Sequence, residues 1–240
     1  MLQIQRNFYI LIFLFVLSCN KEVKTSFSEI NITTENNAIV EVNVPEANGK
    51  KTITEQINSE ITKTIAAALH IGDPDSVPSV SVEESIKRFN EEFQDFKRDF
   101  PETELPWEAQ IDGEVVYQSP EIICVAITTY TNTGGAHGLS NVTFLNFNAT
   151  TGNKISNEKL ITDFEAFKKM AKPYFDKAIA EKEHAIFDTE AFQLPANIGY
   201  TEDGLVLLYN TYEIAPYSTG IIEFKIPYEE AEPFLAFNHL

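Results

Sequence analysis

The sequence predicts an α+β fold: mainly antiparallel sheets with helices packed on them, arranged as two closely associated subdomains. Three observations lead there. Strand and helix patterns come in blocks and do not alternate one for one, unlike a doubly wound parallel sheet. Three long strand candidates follow one another between Trp107 and Asn148. Amphipathic helical patterns precede and follow that block. Hydrophobic residues make up 43% of the 240 positions and aromatics 12%. This is enough apolar material for a packed core, in one large domain or two small ones.

The N-terminal residues 1–19 are read separately as a targeting segment. One positive residue, Arg6, precedes an apolar run from Phe8 to Leu17, too short for the roughly 20 residues a membrane-spanning helix needs. Val16-Leu17-Ser18-Cys19 resembles a bacterial lipobox, with Leu17 bulkier than usual for its place. The resemblance implies cleavage before Cys19, lipid on that cysteine, and a protein anchored to a bacterial envelope membrane on its periplasmic or cell-surface face. The alternative is an ordinary secretory signal with Cys19 incidental.

Residues 20–26 are polar and read as a tether. Phe27–Thr33 and Ile39–Val44 alternate apolar and polar around Glu35-Asn36-Asn37 and read as a hairpin ending at Pro45. A helix is expected over Thr54–Leu69, with Ile57, Ile61, Ile65 and Ala68 on one face. His70–Ser79 is rich in Gly, Pro and Asp and reads as a loop. Ser81-Val82-Glu83-Glu84 forms a capping box. Behind it Ile86, Phe89, Phe93, Phe96 and Phe100 recur at alternating three- and four-residue spacing until Pro101. Such a stripe faces a core; five positions are too few for a coiled coil.

Strands are expected at Trp107–Tyr117, Glu121–Thr131 and Leu139–Asn148, which takes the first subdomain over 27–148. The second, 149–240, opens with a turn at Thr150-Thr151-Gly152. A helical region follows over Asp163–Glu183 with Phe164, Phe167, Ala171, Tyr174, Phe175 and Ala178 inward. Pro173, lacking an amide donor, should kink or restart it. Strands near Ile198–Tyr200, Leu205–Tyr209 and Ile221–Pro227, a turn at Glu202-Asp203-Gly204, and a short terminal helix over Tyr228–Phe237 complete the chain.

Charge narrows the function. Eighteen Lys and Arg face 36 Asp and Glu, for a net charge of −18. An acidic chain lacks the basic footprint of a nucleic-acid binder, so no nucleic acid is expected, nor adsorption to anionic lipid. The four histidines show no metal-site spacing and no cysteine cluster exists for zinc; no metal and no cofactor are expected. There is no Gly-x-Ser-x-Gly elbow and no phosphate-binding glycine pattern. Cys124, inside Ile122–Ile127, reads as a small buried hydrophobe.

Two connections are not explained by core patterning. Thr131–Ser140 holds Gly134, Gly135, His137 and Gly138 between two strands. There His137 either presents its ring to a ligand or braces a tight loop. Tyr209–Gly220 holds Tyr209, Tyr212, Pro216 and Tyr217. Its tyrosines either supply apolar area with a polar tip for recognition, or wedge the loop against a helix. Tyr212, Pro216, Tyr217 and His137 are the ligand-binding candidates. No catalytic residue stands out.

The same segments carry a family likeness. Gly134-Gly135-Ala136-His137-Gly138, Leu145–Asn148, Thr151-Gly152, Leu160, Gly204-Leu205-Val206, Tyr212–Tyr217, Gly220 and Ile222–Pro227 resemble the RsiV-like extracellular module. That module pairs a PdaC-type N-terminal region with a C-terminal domain of unknown function. In one branch it is the outer sensor of a membrane anti-sigma factor and recognises lysozyme. In another it accompanies a polysaccharide deacetylase domain, whose metal-binding histidine and aspartate motifs are absent from this sequence. The resemblance therefore implies a stand-alone accessory module on a lipid anchor. The leading expectation is a non-enzymatic envelope lipoprotein that binds a protein or glycan ligand, with lysozyme-like glycan hydrolases and cell-wall glycan as the partners in view. The alternatives are an enzyme or accessory module acting on peptidoglycan or a related polysaccharide, and a structural envelope component.

Overall fold

The computed structural model describes residues 24–34, 38–102, 106–182, 185–188 and 192–237. The apolar run with Cys19, the hairpin turn at 35–37, His184 and His239 lie outside these. Among the described residues no helix is long and apolar enough to cross a membrane.

The fold is α+β. Strands β1 (Ser26–Thr34) and β2 (Ile39–Asn48) form the expected hairpin, followed by helices α1 (Lys51–Leu69) and α2 (Val82–Asp99). Strands β3 (Glu108–Gln118), β4 (Ile122–Asn132), β5 (Leu139–Asn148) and the short β6 (Lys154–Ile155) complete a sheet in sequential order β1 to β6. All its neighbours are antiparallel except β2 and β3, which run parallel because α1 and α2 form the crossover between them. Then come α3 (Asn157–Leu160) and α4 (Phe164–Ile179). A second, antiparallel sheet follows, of β7 (Asn197–Thr201), β8 (Gly204–Tyr209) and β9 (Ile222–Ile226), and the one-turn helix α5 (Tyr228–Ala231) comes last.

The period of two along β4 explains the layering. Ile123, Val125 and Ile127 face a core with Ile57, Ile61 and Ile65 of α1 and Phe89 and Phe93 of α2. Ile122 and Cys124 face a second core with Phe167, Ala171, Phe175 and Ile179 of α4 and with Ile198, Tyr200, Leu205 and Leu207 of the small sheet. The large sheet is thus covered on both faces, which is why β4 reads as a continuous apolar run. Each fully buried phenylalanine on α2 contributes about 2–3 kcal/mol relative to exposure.

Several expectations are corrected. β2 does not stop at Pro45 but continues to Asn48 opposite β1; Pro45 falls beyond Asn43, the last residue paired with β3, so the missing amide breaks no ladder there. The α2 stripe is buried at Ile86, Phe89 and Phe93, but Phe100 at its C-cap is 58% exposed. Ser81 caps α2 through the Glu84 amide at 3.2 Å. Helix α4 runs through Pro173 as one element, and Phe164 beside its cap is exposed, not inward. The expected terminal helix is two pieces, α5 and a 3₁₀ turn at Glu232–Phe234.

The small sheet meets the large one through β7, which lies against β3, β4 and β5. A Cβ at Gly199 would come within 2.5 Å of the Phe144 ring, so only glycine lets the strands approach this closely. Side-chain amides join them: Asn146 Nδ2 donates to the Ile198 carbonyl at 2.7 Å, and the Phe144 amide donates to Asn197 Oδ1 at 3.1 Å.

Candidate functional site

The connection preceding β5 and the one following β8 meet in space, and the cause is a single side chain. Asn210, one residue past β8, brackets Val142 of β5. Its Oδ1 accepts the Val142 amide and its Nδ2 donates to the Val142 carbonyl, both at 2.8 Å. The carboxamide replaces a neighbouring strand along this part of β5. It thereby anchors the base of the 209–220 connection beside the strand that emerges from the 133–138 connection.

Glu213 fixes the turn. Its two carboxylate oxygens accept the Asn210 amide at 2.9 Å and the Ala196 amide at 2.8 Å, and its own amide donates to the Asn210 carbonyl at 3.0 Å. Tyr212 sits inside this turn at φ +70°, the one non-glycine at positive φ among the described residues. An L-residue there carries backbone strain, held because the Asn210–Glu213 clamp over-determines the loop.

The Tyr217 ring stacks on His137 with centroids 3.6 Å apart and planes 17° apart. Tyr212 lies beside Tyr217 at 5.8 Å. The Gly138 carbonyl ties the stack together. It accepts the Tyr217 hydroxyl at 3.0 Å and faces His137 Nδ1 at 3.2 Å. A carbonyl oxygen only accepts, so Nδ1 is the donor in that contact, and Nε2 takes no part in it. A Cβ at Gly138 would run into the end of the Tyr130 ring, so a larger residue there would displace that ring. Pro216, half-buried, precedes the 3₁₀ turn Tyr217–Thr219 and sets the backbone leading into it. Tyr212 is 53% and Tyr217 36% exposed, and His137 is exposed.

The structure therefore brings His137, Tyr212 and Tyr217 into one aromatic surface, with Pro216 supporting it. His137 braces its loop through one ring face and one nitrogen, and the residue stays exposed. The residues that build the site, Asn210, Glu213 and Asn197, were not singled out in the sequence. An asparagine after a strand has no periodic signature, and its partner lies 68 positions away. The surface exposes apolar ring area, tyrosine hydroxyls and an imidazole edge. Among the described residues, no group of three or more His, Cys, Asp or Glu side chains is arranged to hold a metal ion.

Residues 32–140 match the family described as deacetylase PdaC, and residues 145–229 match a family of proteins of unknown function, DUF3298. Each match covers less than half of the chain, and the PdaC match comes before the DUF3298 match. This order is the one the RsiV-like resemblance implies. A crystal structure of a DUF3298-family member from Bacteroides fragilis is similar over 90% of this chain and 94% of its own, at 20% identity and a TM-score of 0.63. A DUF3298-family protein from Pseudomonas aeruginosa is similar over 89% and 94%, at 19% identity and a TM-score of 0.59. At such identities the likeness is one of fold. No curated protein matches the chain. The aromatic surface forms across the two segments: His137 comes from the PdaC segment, and Tyr212 and Tyr217 come from the DUF3298 segment.

Proposed function

We propose that this PdaC–DUF3298 protein is a bacterial envelope lipoprotein, held to a membrane by lipid on Cys19, that binds a ligand without transforming it. Its ligand is a protein or glycan, with a lysozyme-like glycan hydrolase in first place. One observation carries the reading: exposed rings from two distant connections converge into a braced stack, with Tyr212 more than half exposed beside it. Rigid aromatic anchors lose little entropy on docking, so they concentrate binding energy. The net charge of −18 supports a basic partner, because opposite charge speeds encounter.

The test is retention of lysozyme on the immobilised protein at low salt, compared with a Tyr212→Ala/Tyr217→Ala double variant. The wild type retains lysozyme and the double variant loses about 2 kcal/mol or more, roughly thirtyfold in affinity. Absence of retention by the wild type at low salt removes the lysozyme reading. For the anchor, the protein purified from membranes should carry acyl chains on Cys19 by mass spectrometry, and Cys19→Ala should lack them; a wild-type protein without acyl chains there refutes lipid attachment.

A further inference from the structure

Trp107, the one tryptophan of the chain, is 5% exposed, and its indole Nε1 is buried without a hydrogen-bond partner. The rings of Phe89, Phe93 and Phe96 surround the indole, with centroids 5.6, 5.7 and 5.3 Å away. Ring faces are weak acceptors and do not replace a carbonyl. A buried donor left unanswered is destabilising, and native proteins rarely keep one without a reason. The cover over this donor is the glycine connection between β4 and β5. A Cβ built on Gly134 would have Trp107 Nε1 as its nearest neighbour at 3.7 Å, with the Phe96 ring at 4.0 Å.

That cover is thinly held. Residues 133–137 are all exposed, and the β4–β5 ladder ends at Thr131 and Leu139. Among the described residues no backbone–backbone hydrogen bond ties 133–137 to the rest of the chain. The Gly134 amide is met by the Asn132 side chain at 3.1 Å. Gly134 takes φ +85°, open to glycine and costly for other residues, whereas Gly135 lies outside that region. His137, three positions on, belongs to the stack with Tyr217. A partner docked on that stack therefore sits against the same connection. Next to the indole, Phe96 is half-buried and packs on Phe100, 5.0 Å away and 58% exposed.

We propose that residues 133–137 are a movable cap on Trp107, and that the indole N–H donates to an amide carbonyl of a docked protein partner when the cap lifts. The proposal deepens the docking reading above and rests on it for the source of the carbonyl. A single uncharged donor among aromatic rings suits a single neutral acceptor. A carboxylate would lose its hydration among those rings and would approach a chain of net charge −18. An amide plane lies flat against a ring face such as that of Phe100.

A chain with one tryptophan gives one indole signal, so ¹⁵N-labelled protein reports on Nε1 directly by NMR. Hydrogen exchange of the indole proton reads the cap in the free protein. Gly134→Ala puts a Cβ at ordinary contact distance from the indole but strains the left-handed backbone. Indole exchange should rise by about five- to thirtyfold, with the β4 amides as the reference for global unfolding. Gly135→Ala should leave it at the wild-type rate. Unchanged exchange in Gly134→Ala, or an equal rise in both variants, overturns the cap. For the donor, N,N-dimethylacetamide, which only accepts, is titrated beside isopropylammonium, which has no acceptor. The indole proton should move downfield saturably with the amide and stay in place with the ammonium. A linear response, or one common to both, overturns the carbonyl site. Unlabelled lysozyme then separates the two readings. If lysozyme is retained and the indole proton does not move, the docking surface stands and this proposal falls. If the amide probe saturates and lysozyme is not retained, the capped carbonyl site stands and the lysozyme reading falls.

Discussion

Replacing Tyr212 by glycine and, separately, by alanine isolates the strain in the docking connection. Both substitutions remove the same ring, with its 5.8 Å contact to Tyr217, so that loss cancels between them. What remains is the backbone at φ +70°. A side chain with a Cβ pays about 1–2 kcal/mol in the left-handed region, a cost glycine avoids. Against this, glycine gives the unfolded chain more freedom, worth about 0.4–1 kcal/mol in favour of alanine. The difference leaves Tyr212→Gly more stable than Tyr212→Ala by about 0.5–1 kcal/mol, the reverse of the order at an ordinary helix or strand position. For a protein of this size that separates the melting midpoints by about 1–4 °C. Parallel thermal and urea denaturation followed by circular dichroism reads the difference. An alanine variant as stable as the glycine variant, or more so, would show that Tyr212 is not held in a strained conformation, and the case for a functional reason behind it would go. Both variants should weaken the proposed docking alike.

Asn210→Ala removes two hydrogen bonds to Val142 and should cost about 2 kcal/mol; hydrogen exchange at the Val142 amide should speed up by more than exchange in β4, and unchanged exchange there would refute the bracketing role. Cys124 is fully buried and burial pushes its thiol up to about 12, so a thiol reagent at pH 8 should label the native protein no faster than it unfolds, while urea-unfolded protein labels at once. Tyr200, Tyr209 and Tyr228 are raised chiefly by burial, with Tyr117 adding to Tyr200 and Tyr228 and Glu213 to Tyr209. In the unfolded chain these phenols ionise near pH 10 while in the folded state they stay protonated. Their stabilisation is therefore intact below about pH 10 and falls above it, by up to about 1.4 kcal/mol per pH unit for each ring. Absorbance at 295 nm should show these tyrosines ionising together with unfolding; a smooth titration of all nine tyrosines without loss of structure would contradict their burial.

Much of the fold was legible because it is written in local periodicity. The i, i+3, i+7 stripe of Ile86, Phe89 and Phe93 needs one buried face, and the Ser81 cap marks where the helix starts. The unbroken apolar run around Cys124 marked a buried strand, and the structure covers both its faces. Where the local rules misled, tertiary context supplied what they lacked. Pro45 stays in a strand because the β3 ladder has already ended, and Phe164 is exposed because α4 turns that position outward beside its cap. The site residues divide in the same way. His137, Tyr212 and Tyr217 stood out because glycines and tyrosines in connections have no core pattern to explain them.

Sequence alone determined the class of the fold, the acidic surface charge, the placement of most helices and strands, and which two connections were unusual. Only the tertiary structure decided that those connections meet. Their meeting depends on a carboxamide from Asn210 satisfying backbone groups of Val142, and on Gly199 allowing β7 to close on Phe144. Contacts between residues 50 to 70 positions apart leave no periodic trace, because periodicity records only which face of its own element a residue occupies.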